Sequence, residues 1–515
     1  MSVLIGIDVG TSGLKAVAID AERGATVAVA ARDYPLSTPR AGWAEQDAED
    51  FATGAFSALR ELTQKLGARI ADIAGVGLTG QMHSAVLLDE QQRVVRPAIL
   101  WCDVRTSAEC RAIRERLGDD GLARAVGNQA LEGFTLPKLL WVRAHEPERW
   151  AEVRTVLMPK DFVGLRLTGE LGADVSDASG TLAFDPGQRC WSDEVLRAFD
   201  LAPSLFPPVG ESASLLGRVH DEAARATGLP VGTPVVRGAA DNAAGAVGLG
   251  VVRAGRAMAS VGTSGVVLAH SDGYFVEPRM RLHSFCHAVP GRFYLMGVML
   301  AAGGALRWYR DTFCDGEKLA AELRKTDPYE IITEAASTSK AGAGGVVFLP
   351  YLMGERTPHN DAGARAALVG MSARTGKADV SRAVLEGITF GLRDSLDLVR
   401  DVDASAGGGQ AIGQIRLTGG GARSAFWRQL MADVFATEVA LTSSTEGPAF
   451  GAAILAGAAI GVFASVEEGA DALVHVTART APRAVEAERY REIHAEYRAL
   501  YGDLRARFGA LARFD

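Results

Sequence analysis

The chain of 515 residues has few cysteines and no excess of basic side chains. Its 5 cysteines include no CxxC pair, which argues against a disulfide framework and against a thiolate zinc site. With 54 basic and 62 acidic residues the net charge is −8, whereas proteins that hold nucleic acid by its phosphates normally carry a basic excess. We therefore expect a cytoplasmic protein without a nucleic-acid partner.

The sequence also lacks a strongly hydrophobic span and a P-loop. The uncharged stretch 447–466 is long enough to cross a membrane, but it is mostly Ala and Gly, so we predict a tightly packed interior helix and no membrane contact. No GxxxxGK[ST] motif occurs, which excludes a P-loop enzyme. Gly75, Gly77 and Gly80 have dinucleotide-binding spacing, yet they lie within a predicted strand, so that context is absent.

The clearest internal signal is a repeated pentapeptide. Val-Gly-Thr-Ser-Gly occurs at 9–13 and again at 261–265, about half the chain length later. Each copy lies between two short apolar runs, a pattern that predicts a β-hairpin. A chance match of five residues is the alternative, but the shared context favours a duplicated plan with domains 1–250 and 251–515.

The remaining pattern predicts an α/β protein, because strands alternate with amphipathic helices. In the first half a helix over 46–65 precedes a strand over 73–78. In the second half a long helix over 380–402 leads through a Gly-rich loop, 404–410, to a strand over 414–418.

The turn of the first hairpin carries residues suited to phosphate binding. Glycine lets backbone N–H groups approach an anion closely, and Thr11 and Ser12 add hydroxyl donors. Asp8 at the strand end could hold Mg²⁺, and Lys15 could reach a phosphate. An ordinary hairpin turn is the alternative interpretation.

Two further glycine turns could complete such a site. Gly262 and Thr263 repeat the first turn, so the two hairpins could hold one polyphosphate from both sides of a cleft. Gly420, Gly421 and Ala422 follow a predicted strand and open a helix, where close approach of a flat or anionic ligand is feasible. A simple tight turn remains the alternative for this third cluster.

Polar residues after two other strands are candidates for substrate chemistry. Asp241 and Asn242 begin a helix of small residues, and Asp241 could be either a helix N-cap or a general base for a hydroxyl. Gln81, Met82 and His83 end a strand and could contact sugar hydroxyls, with a satisfied loop histidine as the alternative.

Together these residues resemble the FGGY carbohydrate kinases over essentially the whole chain. The motifs that carry the resemblance are DVGTSGLK (8–15), WAEQD (43–47), GQMHSAVLLD (80–89), PAILWCD (97–103), PKLLWV (137–142), ADNAAGAVGLG (240–250), SVGTSG (260–265), LPYLMGERTPHND (349–361), RAVLEG (382–387) and GGGARS (419–424). Cys102 stands where we expect Asn in many relatives, and we interpret nearby Asp103 and Arg105 as a surface ion pair.

The resemblance implies two ribonuclease-H-like (actin-like ATPase) domains that close on a cleft holding MgATP and a sugar. The expected reaction is transfer of the γ-phosphoryl group to O5 of D-xylulose, since Gln81, Met82 and His83 favour this ketopentose. A kinase of another sugar, a pentitol or gluconate is the first alternative, and a non-metabolic actin-like ATPase is the second. The expected partners are the sugar, ATP and Mg²⁺, with a homodimer as the expected assembly.

The family roles carry over to matching positions. Asp241 is expected to be the base for the accepting hydroxyl, and Asp8 the magnesium-associated carboxylate. The remaining expected roles are phosphate contact at Thr11, Ser12, Gly262 and Thr263, adenosine contact at Gly420, Gly421 and Ala422, and sugar contact at Met82, His83, Asp241 and Asn242.

Overall fold

The computed structural model describes residues 2–405, 411–444 and 446–514. Its first half contains β1 (Val3–Val9), β2 (Gly13–Asp20), β3 (Thr26–Asp33), β4 (Glu45–Gln46), α1 (Ala48–Leu66), β5 (Ile73–Gly80), β6 (Val86–Leu88), β7 (Ala98–Ile99), α2 (Ser107–Ala125), α3 (Thr135–His145), α4 (Pro147–Glu152), β8 (Thr155–Leu157), α5 (Pro159–Thr168), β9 (Ala173–Asp174), α6 (Val175–Ala178), β10 (Phe184–Asp185), β11 (Cys190–Trp191), α7 (Asp193–Ala198), β12 (Val209–Gly210), β13 (Leu215–Arg218), α8 (Asp221–Thr227), β14 (Pro234–Ala240) and α9 (Asp241–Gly248).

The second half contains β15 (Arg256–Val261), β16 (Gly265–Ser271), β17 (His283–Cys286), β18 (Phe293–Met299), α10 (Gly303–Phe313), α11 (Asp315–Arg324), α12 (Pro328–Thr338), β19 (Val347–Leu349), β20 (Ala367–Val369), α13 (Lys377–Ser405), β21 (Gln414–Gly419), α14 (Ala425–Phe435), β22 (Glu438–Thr442), α15 (Pro448–Ala459), α16 (Val466–Leu473), β23 (Val476–Thr480) and α17 (Ala484–Leu511). None of these described helices has the length and apolar character that crossing a membrane requires.

Each half is built on one large sheet, and each sheet contains one of the two predicted hairpins. The first sheet has the order β13-β14-β5-β1-β2-β3, and the second has the order β17-β18-β16-β15-β21-β22-β23. In each sheet the first strand of the hairpin pairs antiparallel with its partner and parallel with a later strand, β5 or β21. The two halves therefore repeat one plan, and we propose 1–250 and 251–515 as the domain units.

The predicted helices form with small shifts at their ends. Helix α1 begins two residues later than predicted, because Asp47 is its N-cap and accepts a hydrogen bond from the backbone N–H of Glu49. Helix α13 extends to Ser405, so the loop predicted over 404–410 starts later. Residues 406–410 of that loop lie outside the described part of the chain.

Helix α15 (Pro448–Ala459) confirms the predicted interior helix for the first part of 447–466, and it packs against β1, β5 and α9 of the first half. The approach is close because glycines face it. A Cβ atom on Gly6 would lie 1.8 Å from the carbonyl oxygen of Ala449, and one on Gly77 would lie 1.9 Å from that of Ala452. The glycines at 6 and 77 thus form a packing surface for helix α15, which joins the second half of the chain to the first sheet.

Replacing Gly77 with Ala should destabilise the fold by about 1–3 kcal/mol or more, because the new methyl group has no space against helix α15. Gly502→Ala in helix α17 is the matched control, since a Cβ there meets nothing within 4 Å and alanine favours a helix. Urea denaturation would measure both variants. Equal stability of Gly77→Ala and the wild type would contradict this packing.

Candidate active site

The candidate site lies where three parallel strands of the first sheet end. Gly80 at the end of β5 is level with the ends of both β1 and β14. Asp8 is the last residue but one of β1, while Gln81 and Asp241 directly follow β5 and β14. The fold therefore brings all three residues to one edge of the sheet. Ligands of α/β proteins commonly bind at the carboxyl ends of parallel strands.

Asp8 has a carboxylate that could still accept a ligand. Its Oδ1 atom is buried and has no hydrogen-bond partner among the described residues. Burial raises the pKa of Asp8 to about 6, and Lys15, its cross-strand neighbour in the hairpin, acts in the opposite direction. A buried carboxylate oxygen without a protein partner suits a hard divalent cation such as Mg²⁺. Asp8 therefore fits the expected role of metal ligand.

Asp241 is the first residue of helix α9, and Ala240 occupies the N-cap position, so the simple N-cap alternative does not hold. Its Oδ1 accepts hydrogen bonds from the backbone N–H of Asn242 at 2.7 Å and from its side-chain amide at 3.0 Å. Burial and the nearby charge of Asp8 raise the pKa of Asp241 to about 7. A carboxylate with a pKa near the working pH is well suited to general-base catalysis.

His83 is held in one orientation by the surrounding protein. It has a positive φ of 68°, its Nδ1 contacts the carbonyl oxygen of Gly180, and its ring packs edge-on against Phe134 at 4.7 Å. Burial lowers the pKa of His83 to about 3, so the ring is neutral. Because a carbonyl oxygen can only accept, Nδ1 carries the proton and Nε2 is left as an acceptor. Such an acceptor suits a sugar hydroxyl.

Met82 and Asn242 complete the predicted sugar side. The Asn242 side-chain nitrogen lies 3.8 Å from the sulfur of Met82, and the Tyr294 hydroxyl from strand β18 lies 4.0 Å from the same sulfur. Met82 is buried. The structure therefore brings Met82 and Asn242 together with Asp241, and it adds a residue from the second half.

Gln81 lies at the same edge, but its amide is bonded to protein groups. Its Oε1 accepts from the hydroxyls of Thr11 at 3.3 Å and Ser84 at 3.2 Å. Its Nε2 donates to Gln46 at 3.2 Å, and Gln46 in turn donates to the backbone carbonyl of Thr11 at 2.7 Å. Gln81 is only 1% exposed. It therefore supports the first hairpin turn, where Ser12 is exposed to solvent.

The second hairpin turn borders a cavity of about 680 Å³. The cavity lies between that turn and helices α10, α12 and α14, and its lining includes Gly262, Thr263, Gly420 and Gly421. Ala422 is not among the lining residues, and its carbonyl accepts a hydrogen bond from Arg428 at 2.8 Å. Two glycine turns thus meet at one cavity large enough for a nucleoside.

Comparison with known proteins agrees with this geometry. The model of the FGGY family of carbohydrate kinases, N-terminal domain, matches residues 3–248, and that of the C-terminal domain matches residues 257–460. The chain belongs to the FGGY family of carbohydrate kinases. The resemblance inferred from the motifs is confirmed, as is the α/β fold of two actin-like ATPase domains.

Several relatives of this FGGY kinase match along nearly their full length. A xylulose kinase from Bacillus subtilis is 37% identical, with 97% of each chain covered. A xylulose kinase from Escherichia coli is 42% identical, with 88% of this chain and 89% of the relative covered. The crystal structure of a xyloylose kinase from Brucella ovis is 36% identical and superposes with a TM-score of 0.88, covering 98% of this chain and 99% of the other.

One interpretation of the FGGY kinase sequence is wrong. Asp103 and Arg105 are buried instead of forming a surface ion pair. Arg105 donates a hydrogen bond to Asp103 at 2.6 Å, and its guanidinium also forms an ion pair with Glu45 at 2.8 Å, a residue far away in sequence. Trp101, two residues before Asp103, donates its indole N–H to the Thr11 hydroxyl at 2.9 Å. The segment therefore braces the first hairpin turn.

The sequence interpretation missed one wall of this cavity. Asp327, Tyr329 and Glu330 at the start of helix α12 line it, and Arg307 in α10 donates to the Thr263 hydroxyl at 3.1 Å. No glycine motif marks these positions. The Asp-Pro pair that begins α12 predicts a helix start, but only the tertiary fold shows that this helix faces the glycine turns.

Arg356 is a second residue that the FGGY motifs did not single out. It belongs to the second half, and its guanidinium interacts with the charges of Glu132 and Glu355. Burial is the main cause of the lowered pKa of both His83 and His283, and the positive charge of Arg356 adds to it, so Arg356 lies near both imidazoles. The ring of Phe134 lies 4.7 Å from that of His83 and 5.7 Å from that of His283. The second half therefore contributes a cation beside His83, whereas the aromatic ring of Phe134 belongs to the first half.

Proposed function

We propose that this protein transfers the γ-phosphoryl group of MgATP to the O5 hydroxyl of D-xylulose, which gives D-xylulose 5-phosphate and ADP. The observation that carries the proposal is the position of Asp241, whose pKa is about 7 and which shares one sheet edge with Asp8 and the Met82–His83 segment. The names of the relatives described above support xylulose as the acceptor.

On the sugar side, each residue has a distinct task. Asp241 accepts the proton of O5 as the hydroxyl attacks, and its bonds to Asn242 keep the carboxylate in place. In phosphoryl transfer this base need not be strong, because the transition state is loose. His83 accepts a hydrogen bond from a sugar hydroxyl through Nε2, which orients the acceptor. Met82 provides an apolar surface beside Asn242.

On the nucleotide side, the two hairpin turns supply donors to the phosphates. Thr11, Ser12 and Lys15 act from the first turn, while Gly262 and Thr263 act from the second. The cavity at Gly420 and Gly421 holds the adenosine, with Ala422 shaping the turn. Asp8 would hold Mg²⁺, which neutralises charge on the β- and γ-phosphates when it is bound. Closure of the two domains excludes water and limits ATP hydrolysis.

ADP release in a coupled assay with D-xylulose, D-ribulose, xylitol, D-arabinitol, gluconate or glycerol tests this function. D-xylulose should give the highest kcat/KM, and ADP release without any acceptor should be far slower. A clear preference for gluconate or a pentitol would assign the enzyme to another sugar. Acceptor-independent ATP turnover at the same rate would identify an ATPase and overturn the proposal.

His83→Ala should lower kcat/KM for D-xylulose about 10- to 100-fold, mainly through KM, because it removes one oriented acceptor worth roughly 1.5–3 kcal/mol. The KM for ATP should stay unchanged. His83→Asn is the matched variant that preserves the backbone conformation, since asparagine tolerates the positive φ of this position. An unchanged sugar KM in both variants would remove His83 from the sugar site.

A further inference from the structure

A buried cluster of charged side chains lies behind the proposed base and is not used by the mechanism above. Lys160 in helix α5 bonds Asp161 at 2.5 Å and Asp174 at 2.8 Å, and it lies 3.7 Å from Asp177. The exposed fraction of each of these side chains is 2% or less. One buried ammonium therefore faces three carboxyl groups in the interior of the first half.

A continuous chain of hydrogen bonds leads from this cluster to the backbone N–H of Ala240, the residue before Asp241. The second oxygen of Asp174 accepts from the hydroxyls of Ser176 at 2.6 Å and Ser212 at 2.7 Å. The Ser176 oxygen then accepts from the backbone N–H of Ala240 at 3.0 Å. Ala240 is the residue directly before Asp241, so the chain ends at the peptide that leads into the base.

Strand β14, which ends directly before Asp241, is irregular near its end. The pairing of β14 with β5 shifts between Val236 and Ala239. Gly238 has a φ of 73°, and a Cβ atom there would lie 1.7 Å from the carbonyl oxygen of Leu78. A bulge bends a strand and interrupts its ladder, and the pairing of β14 with β5 resumes only at Ala239 and Ala240. The hydrogen bond that the Ala240 N–H donates to the Ser176 oxygen is a further contact that holds this short end of the strand.

Stability alone is a poor reason for such a cluster. Taking charged groups out of water is unfavourable, and well-packed apolar side chains often replace a buried ion pair without loss of stability. Burial also raises the pKa of Asp177 well above its usual range, with the charges of Asp161, Asp174 and Asp241 adding to the effect of burial and Lys160 opposing it. Burying these charges is thus unfavourable for stability, which favours a role for the cluster in positioning the residues that it contacts.

We propose that Lys160, Asp174 and Ser176 form a positioning chain that holds the backbone before Asp241 and so directs its carboxylate at the acceptor hydroxyl. Lys160 fixes Asp174, Asp174 orients the Ser176 hydroxyl, and Ser176 holds the peptide of Ala240. The inference rests on the proposed function, because it assumes that Asp241 is the base. None of the three residues touches the substrate.

Ser176→Ala tests the last step of the chain, and Ser192→Ala is its matched control. The hydroxyl of Ser192 likewise accepts a backbone N–H, at the start of helix α7, but it is not part of the chain to Asp241. We expect Ser176→Ala to lower kcat about tenfold or more while the KM for ATP stays unchanged. Both variants should lose a similar, small amount of thermal stability. Asp174→Asn should lower kcat in the same way.

The kcat of Ser176→Ala and Ser192→Ala relative to the wild type decides this inference. If both variants keep the wild-type kcat, or if both lose activity only in proportion to their unfolded fraction, the chain is structural and the inference is overturned. The wild-type enzyme is assayed first with the acceptor panel described above. Failure of the wild type to release ADP with any acceptor rejects the proposed function, whereas normal wild-type turnover with an unaffected Ser176→Ala rejects only the positioning chain.

Discussion

Asp241→Asn is expected to lower kcat for sugar phosphorylation about 10²- to 10⁴-fold, because the amide keeps the size of the side chain but cannot accept the hydroxyl proton. ATP binding should be unchanged, since the cavity proposed for the nucleotide lies at the second hairpin and does not include this residue. Asp221→Asn is the matched control. Asp221 is also the first residue of a helix, α8, but it is exposed and remote from the sheet edge.

The same variant makes a prediction about stability with a defined sign. The pKa of Asp241 is raised from 3.8 to about 7 by burial and by Asp8, so the ionised carboxylate is less favourable in the folded protein than in the unfolded chain. This destabilisation is absent at low pH and develops as the pH rises from about 4 to about 7. Asp241→Asn should therefore melt at a higher temperature than the wild type at pH 8. The wild-type kcat/KM should fall as the pH drops below about 7, where the base of the free enzyme is protonated.

Two results would contradict this account of Asp241. Near-normal turnover of Asp241→Asn would show that the residue is not the base. A lower melting temperature at pH 8, together with full activity per folded molecule, would show that the carboxylate is structural. Calorimetry at pH 5 and pH 8 and steady-state kinetics across the same range would provide both measurements.

The sequence predicts the site best where its residues directly follow strands. The parallel strands β1, β5 and β14 end at one edge, so Asp8, Met82 and Asp241 meet there once the strand order is known. Short motifs are sufficient for such residues, because position along the strand already determines where the side chain lies. Each hairpin is likewise local in sequence, and both form as predicted.

Contacts between residues that are far apart in the chain determine the features of the site and the fold that the sequence did not predict. Arg105 is buried because Glu45 joins its pair with Asp103, and no local pattern reveals that third residue. Ala422 has the expected glycine-rich context, but it does not line the cavity. The stretch 447–466 predicts an interior helix, although its sequence does not say which sheet it covers. The close approach of Gly77 in β5 to Ala452 in α15 shows that the helix covers the first sheet, and this contact is visible only in the folded structure.

Asp8→Asn is expected to lower kcat about 10²- to 10³-fold, because it removes a buried negative charge placed to hold Mg²⁺ at the phosphates. The carboxylate oxygen without a protein partner would become an amide group, which is a weaker ligand for a hard cation. The free Mg²⁺ concentration that gives half-maximal rate should therefore rise in the variant, while the KM for D-xylulose changes little. Initial rates at fixed ATP and increasing Mg²⁺ would measure this shift.

Asp221→Asn serves again as the control, because it removes one carboxylate without touching the sheet edge. The role of Asp8 differs from that of Asp241 in one measurable respect. Excess Mg²⁺ should restore part of the activity of Asp8→Asn, since metal can still reach the enzyme bound to ATP, whereas no metal concentration replaces the base lost in Asp241→Asn. An unchanged Mg²⁺ dependence in Asp8→Asn would show that Asp8 does not hold the metal.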